Sequence, residues 1–470
     1  MAAGVESGRA GWLELFRGGA APYTILVTLC VTIHALQILV IIIIMPTVVA
    51  DLGGADYYTW PTMLYTVGSI VGTVSVGPVW AAIGRRGGLL AGGLLFVVGS
   101  VGCALAPDMA TLNIARTIQG LSGGMLNGGG MEMVSGLFDA PRRKRLLTLN
   151  QGVWMVAQLS GPIVGGIFAE IGWWRGSFWV MLPVAIPLLI IAYLKIPADQ
   201  AKSSADRTRR PFPFVRLAML TAGVICVSLA GPVHATVPRI LLVLAAVALM
   251  ALAFRLDRRA ANRLYPSGAL SITSQVGPAL WVLFLVGMVH TGVMVFMPLL
   301  LQVVHGVSPL YVSFISIVVS VAWTLGAVLV SGYTGRREDR ALAAGPFLTA
   351  VGVLGITLSA LYPALWALTA AAVIVGFGIG IHNVLLIART MGRAEPGEER
   401  ITAASMPSIR SMGTAFGAAM GGVLSTVAGL GDATDPALVG PAIVFVYGVN
   451  LVPMIAAVGL MIWLVRPRQA

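Results

Sequence analysis

The chain has 470 residues, of which 57% are hydrophobic and only 10% charged, and its mean hydropathy is +0.90. A soluble domain is about 45–50% apolar and about 25% charged, and so little charge cannot coat a soluble surface of this size. A cytosolic enzyme, a disordered chain and a disulfide scaffold are excluded, leaving a polytopic membrane protein. The net charge of +12 would point to nucleic acid in a soluble protein, but here Lys and Arg fall between hydrophobic runs and read as membrane topology.

A hydrocarbon core of about 30 Å takes about 20 apolar residues per helix. That ruler predicts about fourteen spans, roughly 23–46, 59–81, 87–106, 111–137, 147–170, 176–195, 213–232, 238–256, 277–303, 309–332, 341–361, 364–391, 401–427 and 438–465. Internal Gly and Pro are tolerated because neighbouring helices re-satisfy the backbone. The alternating segments of a membrane β-barrel are missing, so the expected fold is all-α. The first run, from about Tyr23, is full length without a small-residue cleavage site, and reads as a span rather than a signal peptide. Cys30, Cys103 and Cys226 lie in apolar stretches without metal-ligand spacing, so neither a disulfide nor a metal site is expected.

With the N-terminus placed inside, the inner loops collect Arg85 and Arg86; Arg142, Arg143, Lys144 and Arg145; Lys202 to Arg210; Arg255 to Arg263; Arg336, Arg337 and Arg340; Arg393 and Arg400; and the tail Arg466 and Arg468. The outer loops hold Arg175 and Arg239. By the positive-inside rule, both termini are expected in the cytoplasm, with the chain in a bacterial-type inner (plasma) membrane. Gly77…Gly84-Arg85-Arg86 after the second span is echoed by Gly332…Gly335-Arg336-Arg337 after the tenth. This echo predicts two six-helix bundles, 1–195 and 277–470, joined by a linker, 196–276, that carries two inserted membrane helices. Parallel six-helix repeats around a midplane site are the pattern of rocking secondary transporters.

Further motifs fall in register with this plan: Trp60…Tyr65 in the second span, Arg116…Gln119-Gly120 in the fourth, and Gly161-Pro162-Ile163-Val164-Gly165-Gly166 followed by Trp174-Arg175…Phe178 in and after the fifth. Gln302…Gly306-Val307-Ser308-Pro309 marks the later half. Together with Gly77-Pro78-Val79-Trp80-Ala81-Ala82-Ile83-Gly84-Arg85-Arg86, these resemble the major facilitator superfamily, in its fourteen-span drug:proton antiporter branch. The resemblance spans nearly the whole chain. It implies a fold of two six-helix bundles plus two central helices, and proton-coupled export. It also implies gating roles for Gly77, Gly84, Arg85 and Arg86, and a conformational role for Gly161, Pro162, Gly165 and Gly166. Two positions depart from the family pattern. Ala81 stands where the loop motif has an aspartate, and Gln37, nine residues before Pro46, stands where the first helix has an acid implicated in proton coupling.

The ionisable residues inside predicted spans are the most informative, because they are costly there. Glu132, inside the fourth span, reads as a proton site or as an inner gate paired with Arg85, Arg86 or Arg145. Arg116 on the same helix is assigned by the resemblance to proton coupling or cavity electrostatics. His34, His290 and His382 titrate in the physiological range, and any of them could replace the missing acid. His34 shares a helix face with Gln37. Arg410 is too deep for easy snorkelling and needs an acceptor, either helix-end carbonyls or substrate.

Gln37, Tyr65, Met125, Met131, Gln302, Asn383 and Arg410 are the candidates for the cavity wall, where Met-rich surfaces repack around varied ligands. Trp60 and Trp173 fit an aromatic belt. The crowded glycines of the fourth span, Gly120, Gly123, Gly124, Gly128, Gly129 and Gly130, permit close helix approach. Gly120-Leu121-Ser122-Gly123-Gly124 fits the GxSxG pattern but lies within a span rather than a strand-to-helix elbow. No nucleotide loop appears. The expectation is therefore a transporter, not an enzyme, with no cofactor and a proton gradient as its energy source. Its partners are a small amphipathic or lipid-like substrate, protons and the bilayer, without nucleic acid, and the chain is expected to be a monomer. The competing expectation is export of an endogenous lipid, siderophore or metabolite with weak proton coupling.

Overall fold

The structure, a computed structural model, describes residues 15–16, 18–138, 140–197, 213–233, 235–260, 263–362, 364–430 and 435–466. The basic stretch Lys202 to Arg210 and Arg468 lie outside the described residues. Fourteen helices follow in order: α1 (Ala21–Leu52), α2 (Trp60–Ala104), α3 (Met109–Leu137), α4 (Ala140–Glu170), α5 (Gly176–Trp179), α6 (Leu182–Lys195), α7 (Phe214–Leu229), α8 (Thr236–Arg259), α9 (Gly277–Leu299), α10 (Pro309–Val330), α11 (Gly335–Ser359), α12 (Leu365–Gly392), α13 (Glu399–Val427) and α14 (Pro436–Val465). The described elements are helical throughout, as lipid demands of a chain whose backbone polar groups must be paired internally.

Among the described residues, ten elements are long and apolar enough to cross a membrane. One of the ten, Ala55–Ala104, covers two of the predicted spans. It is broken at Gly84, where φ is +74°, a backbone region open to glycine and unfavourable for residues with a Cβ. Outside the membrane core, the Asp108 side chain caps α3 by accepting the Thr111 N–H at 2.7 Å. That bond holds its carboxyl below the ordinary carboxylate range.

Small residues set the closest helix contacts. A Cβ on Gly68 of α2 would stand 2.7 Å from the Thr117 carbonyl of α3, and one on Gly99 would stand 2.8 Å from the Gln119 backbone nitrogen. The same device joins α11 to α12, where a Cβ on Gly352 would meet the Val375 nitrogen at 2.7 Å. In lipid, apolar burial gives helices no preference for one another, so such close van der Waals approach carries the association.

One end of the bundle is stitched across the chain. Tyr58 Oη donates to the Val295 carbonyl (3.2 Å), and Gln302 Nε2 donates to the Ile43 carbonyl (3.3 Å). Ser313 Oγ donates to the Pro162 carbonyl (2.6 Å), and the Leu310 N–H donates to Glu170 (3.2 Å). A Cβ on Gly422 would sit 2.6 Å from Thr59 Oγ1. These contacts join the ends of α1, α4, α9 and α13 to the starts of α2 and α10. At the opposite end, Arg389 pairs with Glu338 and Asp339 (both 2.7 Å), and Arg263 pairs with Glu398 (3.1 Å).

Helices α7 and α8 pack on each other and are held by a buried Arg216–Asp257 ion pair. Their Val224, Val227, Ala230 and Ala246 join Met63 and Val67 of α2 and Ala415, Ala418 and Ala419 of α13 in one apolar cluster.

The packing yields a contrast in stability. Gly99→Val is expected to lower stability by about 1–3 kcal/mol, the usual cost of overpacking. Gly77→Ala, whose added Cβ meets nothing within 4 Å, is expected to leave the melting temperature unchanged. Thermal unfolding of the purified protein, followed by size-exclusion chromatography, checks both.

Candidate functional site

The structure brings four of the sequence-predicted residues into one buried polar cluster. Arg116 is 0% exposed, although it projects from a membrane helix. Its Nε donates to the Pro61 carbonyl (3.2 Å), and its Nη1 donates to Gln37 Oε1 (3.1 Å) and Gln119 Oε1 (2.5 Å). The guanidinium carbon lies 4.4 Å from the centre of the Tyr65 ring, a cation–π contact. Tyr65 Oη and His34 Nδ1 are 3.1 Å apart, and the two rings stack at 5.8 Å. Trp154 of α4 meets the His34 ring edge-on at 6.2 Å.

The cluster forms because α1, α2 and α3 each contribute one face to it. His34 and Gln37 are three residues apart and share a face of α1, and Arg116 and Gln119 do the same on α3. Gly120 and Gly123 leave room for Tyr65 beside them. Gln119 also donates through Nε2 to Ser100 Oγ (2.9 Å), with Cys103 Sγ 3.9 Å from its Oε1. Arg116 Nη2 and Gln37 Nε2 are buried with no hydrogen-bond partner among the described residues. The site therefore holds a fixed cation with acceptors that are all neutral, beside a Tyr–His pair able to share a proton.

A second cluster lies among α9, α10, α12 and α13. Arg410 stands over the Trp323 ring at 5.0 Å, and His290 meets the same ring edge-on at 5.5 Å. His382 is buried, with Nδ1 at 2.8 Å from the Gly378 carbonyl. His290, His382, Asn383, Trp323 and Arg410 line a narrow recess together with Leu283, Val286, Gly287 and Ile379.

Other predicted residues fall elsewhere. Glu132 is exposed on α3, within the field of Arg85. It is sixteen residues from Arg116, about 24 Å along the helix, so the structure does not join it to the cluster. Met125 is buried and faces Gly92 of α2, whereas Met131 is 44% exposed, with its sulfur 3.9 Å from Asn150. Gln302 belongs to the stitched end.

Gly161 and Gly165 admit Leu39 and the Val40 carbonyl of α1, while Gly166 faces Ser313 and Leu310 of α10. Gly77 is exposed, Arg85 stands 5.7 Å from the Trp80 ring, and Arg86 stands 4.3 Å from the Tyr193 ring. Sequence reasoning placed Gln119 in a motif only, and it missed Ser100, Trp154 and Trp323. The three-residue spacing from Arg116 was a signal for Gln119, and nothing in the sequence marked the other three.

A profile of the Major Facilitator Superfamily matches residues 27–418. A probable multidrug-efflux transporter of Mycobacterium tuberculosis is 30% identical over 415 residues, 86% of this chain and 87% of that one. Multidrug resistance protein 3 of Bacillus subtilis is 26% identical over 393 residues, 81% of this chain and 75% of that one. The crystal structure of a D-xylose-proton symporter superposes with a TM-score of 0.64 at 16% identity, covering 93% of this chain and 96% of that one.

The cluster makes a ranked prediction. Tyr65→Phe keeps the ring on Arg116 but strips His34 Nδ1 of its partner, at an expected cost of about 1 kcal/mol. Gln119→Leu removes an acceptor from a buried cation and the donor to Ser100, at an expected cost of about 2–3 kcal/mol. Melting temperatures of the two variants, measured at equal purity, test that order.

Proposed function

Because the chain belongs to the Major Facilitator Superfamily, we propose that it is an inner-membrane exporter of amphipathic or apolar small molecules, working by alternating access and energised by proton entry. Both termini lie in the cytoplasm on this reading. The ten long apolar elements, with Ala55–Ala104 counted twice and α3, α7 and α13 added, make fourteen spans. Residues 1–195 and 277–470 act as the two rocking bundles, with 196–276 as the linker that carries α7 and α8.

The stitched end is the observation that carries the proposal. It is built from single hydrogen bonds to backbone atoms and from glycine contacts, such as Ser313 on Pro162 and Gly166. The neutral bonds contribute only about 0.5–1.5 kcal/mol each, and the one to a charged group, Leu310 N–H on Glu170, is exposed. We read this end as the outward gate in its closed state. Glu132, beside Arg85 at the other end, is the inner-gate and proton candidate, and His34, sharing a proton with Tyr65, is the second. The multidrug-efflux relatives support the cargo class. Gln37 favours the second reading, of a lipid, siderophore or metabolite cargo with weak proton coupling, because Arg116 meets an amide where a carboxylate would titrate.

Drug susceptibility and dye efflux in a pump-deficient bacterial host test the proposal, using wild type, Glu132→Gln and His34→Ala at equal expression. Wild-type efflux is expected to collapse when the proton gradient is dissipated, and one of the two substitutions is expected to abolish it. Cysteines at Gly166 and Ser313 together are expected to stop efflux on oxidation and to restore it on reduction. Efflux indifferent to the gradient would remove the proton coupling, and full transport by the oxidised pair would remove the gate.

A further inference from the structure

Arg116 and Arg410 are the two arginines of the central clusters, and neither has a carboxylate within ion-pair distance among the described residues. Five of the described acids pair with other arginines: Asp51 with Arg175, Asp257 with Arg216, Glu338 and Asp339 with Arg389, and Glu398 with Arg263. Glu132 lies with Arg85. Arg116 is fixed by neutral acceptors and keeps Nη2 unpartnered. Arg410 has the Trp323 ring on one face of its guanidinium and opens on the recess beside α9 and α12. His290 Nδ1, at the same recess, is buried without a partner.

A guanidinium cannot shed its proton in a protein, so each arginine remains a cation. A desolvated charge without a counter-ion is costly, and a ligand that brings the missing negative charge recovers that cost. The recess has the chemistry to receive one. The edge of a stacked guanidinium presents paired N–H donors that match the two oxygens of a carboxylate. The Asn383 amide adds a further donor, and Leu283, Val286 and Ile379 make the rest of the wall apolar. A cationic cargo in the recess would instead meet the like charge of Arg410, with no acid in the lining to offset it.

We propose that this recess takes the carboxylate of an amphipathic organic anion, which makes carboxylate-bearing amphiphiles the preferred cargo. This assignment rests on the exporter reading above and narrows its substrate class.

The test compares three probes that share one fluorescent body: dansyl-aminopentanoate, its carboxamide, and dansylcadaverine. Binding to the purified full-length protein is followed by the rise in dansyl emission. The wild type is expected to bind the carboxylate about tenfold or more tighter than the amide, as a charge-assisted bidentate pair implies, with the amine weaker still. Arg410→Gln should erase the preference, and Arg410→Lys should restore part of it. His290→Ala serves as the second variant and is expected to weaken the carboxylate alone, by a few-fold. Size-exclusion profiles establish that each variant is folded.

Equal affinity for the three probes, or a preference retained in Arg410→Gln, overturns the assignment. Displacement of the carboxylate by chloride as effectively as by unlabelled pentanoate would also overturn it, by making the recess a small-anion site. If the wild type exports neutral and cationic dyes as fast as the anion, the exporter reading stands and the carboxylate assignment falls. If the wild type neither binds nor exports any probe or dye, both fall.

Discussion

The buried guanidinium of Arg116 constrains the N-terminal helices more than any other single group. A side chain that stays protonated must be fed acceptors wherever it is placed, and in a membrane helix water cannot supply them. Here α2 gives a carbonyl, α1 gives an amide oxygen, α3 gives a second amide oxygen, and the Tyr65 ring covers the cation. The bonds to Pro61 and Gln37 each fix one helix relative to α3. The register of α1, α2 and α3 near the cluster is therefore set by polar geometry rather than by apolar packing, which in lipid discriminates weakly.

The glycines make that geometry attainable. Gly68 and Gly99 of α2 and Gly120 of α3 bring two backbones together at distances that no Cβ would allow. The approach puts Tyr65 and Pro61 within reach of Arg116. The C-terminal helices use the same means at Gly352 and Gly378, next to the recess that holds His382 and Arg410. Close backbone contact and buried charge are thus one design: small residues set the spacing, and the arginines use it.

Much of this was legible in the sequence, for identifiable reasons. The helices were readable because a membrane span needs an apolar run of known length, and the join at Gly84 was marked by its motif. His34, Gln37 and Arg116 were singled out because polar residues inside such runs are rare and costly. Helix rotation was not legible. Met125 and Met131 are six residues apart on α3, so they lie on different faces, and only the packing of α3 against Gly92 of α2 says which one is buried. Nor does hydropathy alone count the spans, because α3 and α13, which carry Arg116, Glu132 and Arg410, are not among the ten elements apolar enough to qualify. The residues that matter most to the site are those that weaken the signal of the helices bearing them.

The helices of the stitched end also carry the clusters. Ile43 is six residues beyond Gln37, about 9 Å along α1, and Ser313 is ten residues before Trp323, about 15 Å along α10. Val295 is five residues past His290 on α9, and Pro162 is eight past Trp154 on α4. A helix that tilts to break its contact at the stitched end must move its cluster residue as well, because a hydrogen-bonded helix of this length turns as a rod. On the exporter reading, filling either cluster with a ligand or a proton would change which tilt is favourable, and so the cost of parting the end contacts. The coupling between site and gate then needs no chain of intermediate side chains. On that reading it is carried by α1, α4, α9 and α10 themselves, with Ser313 of α10 bonded to the Pro162 carbonyl of α4.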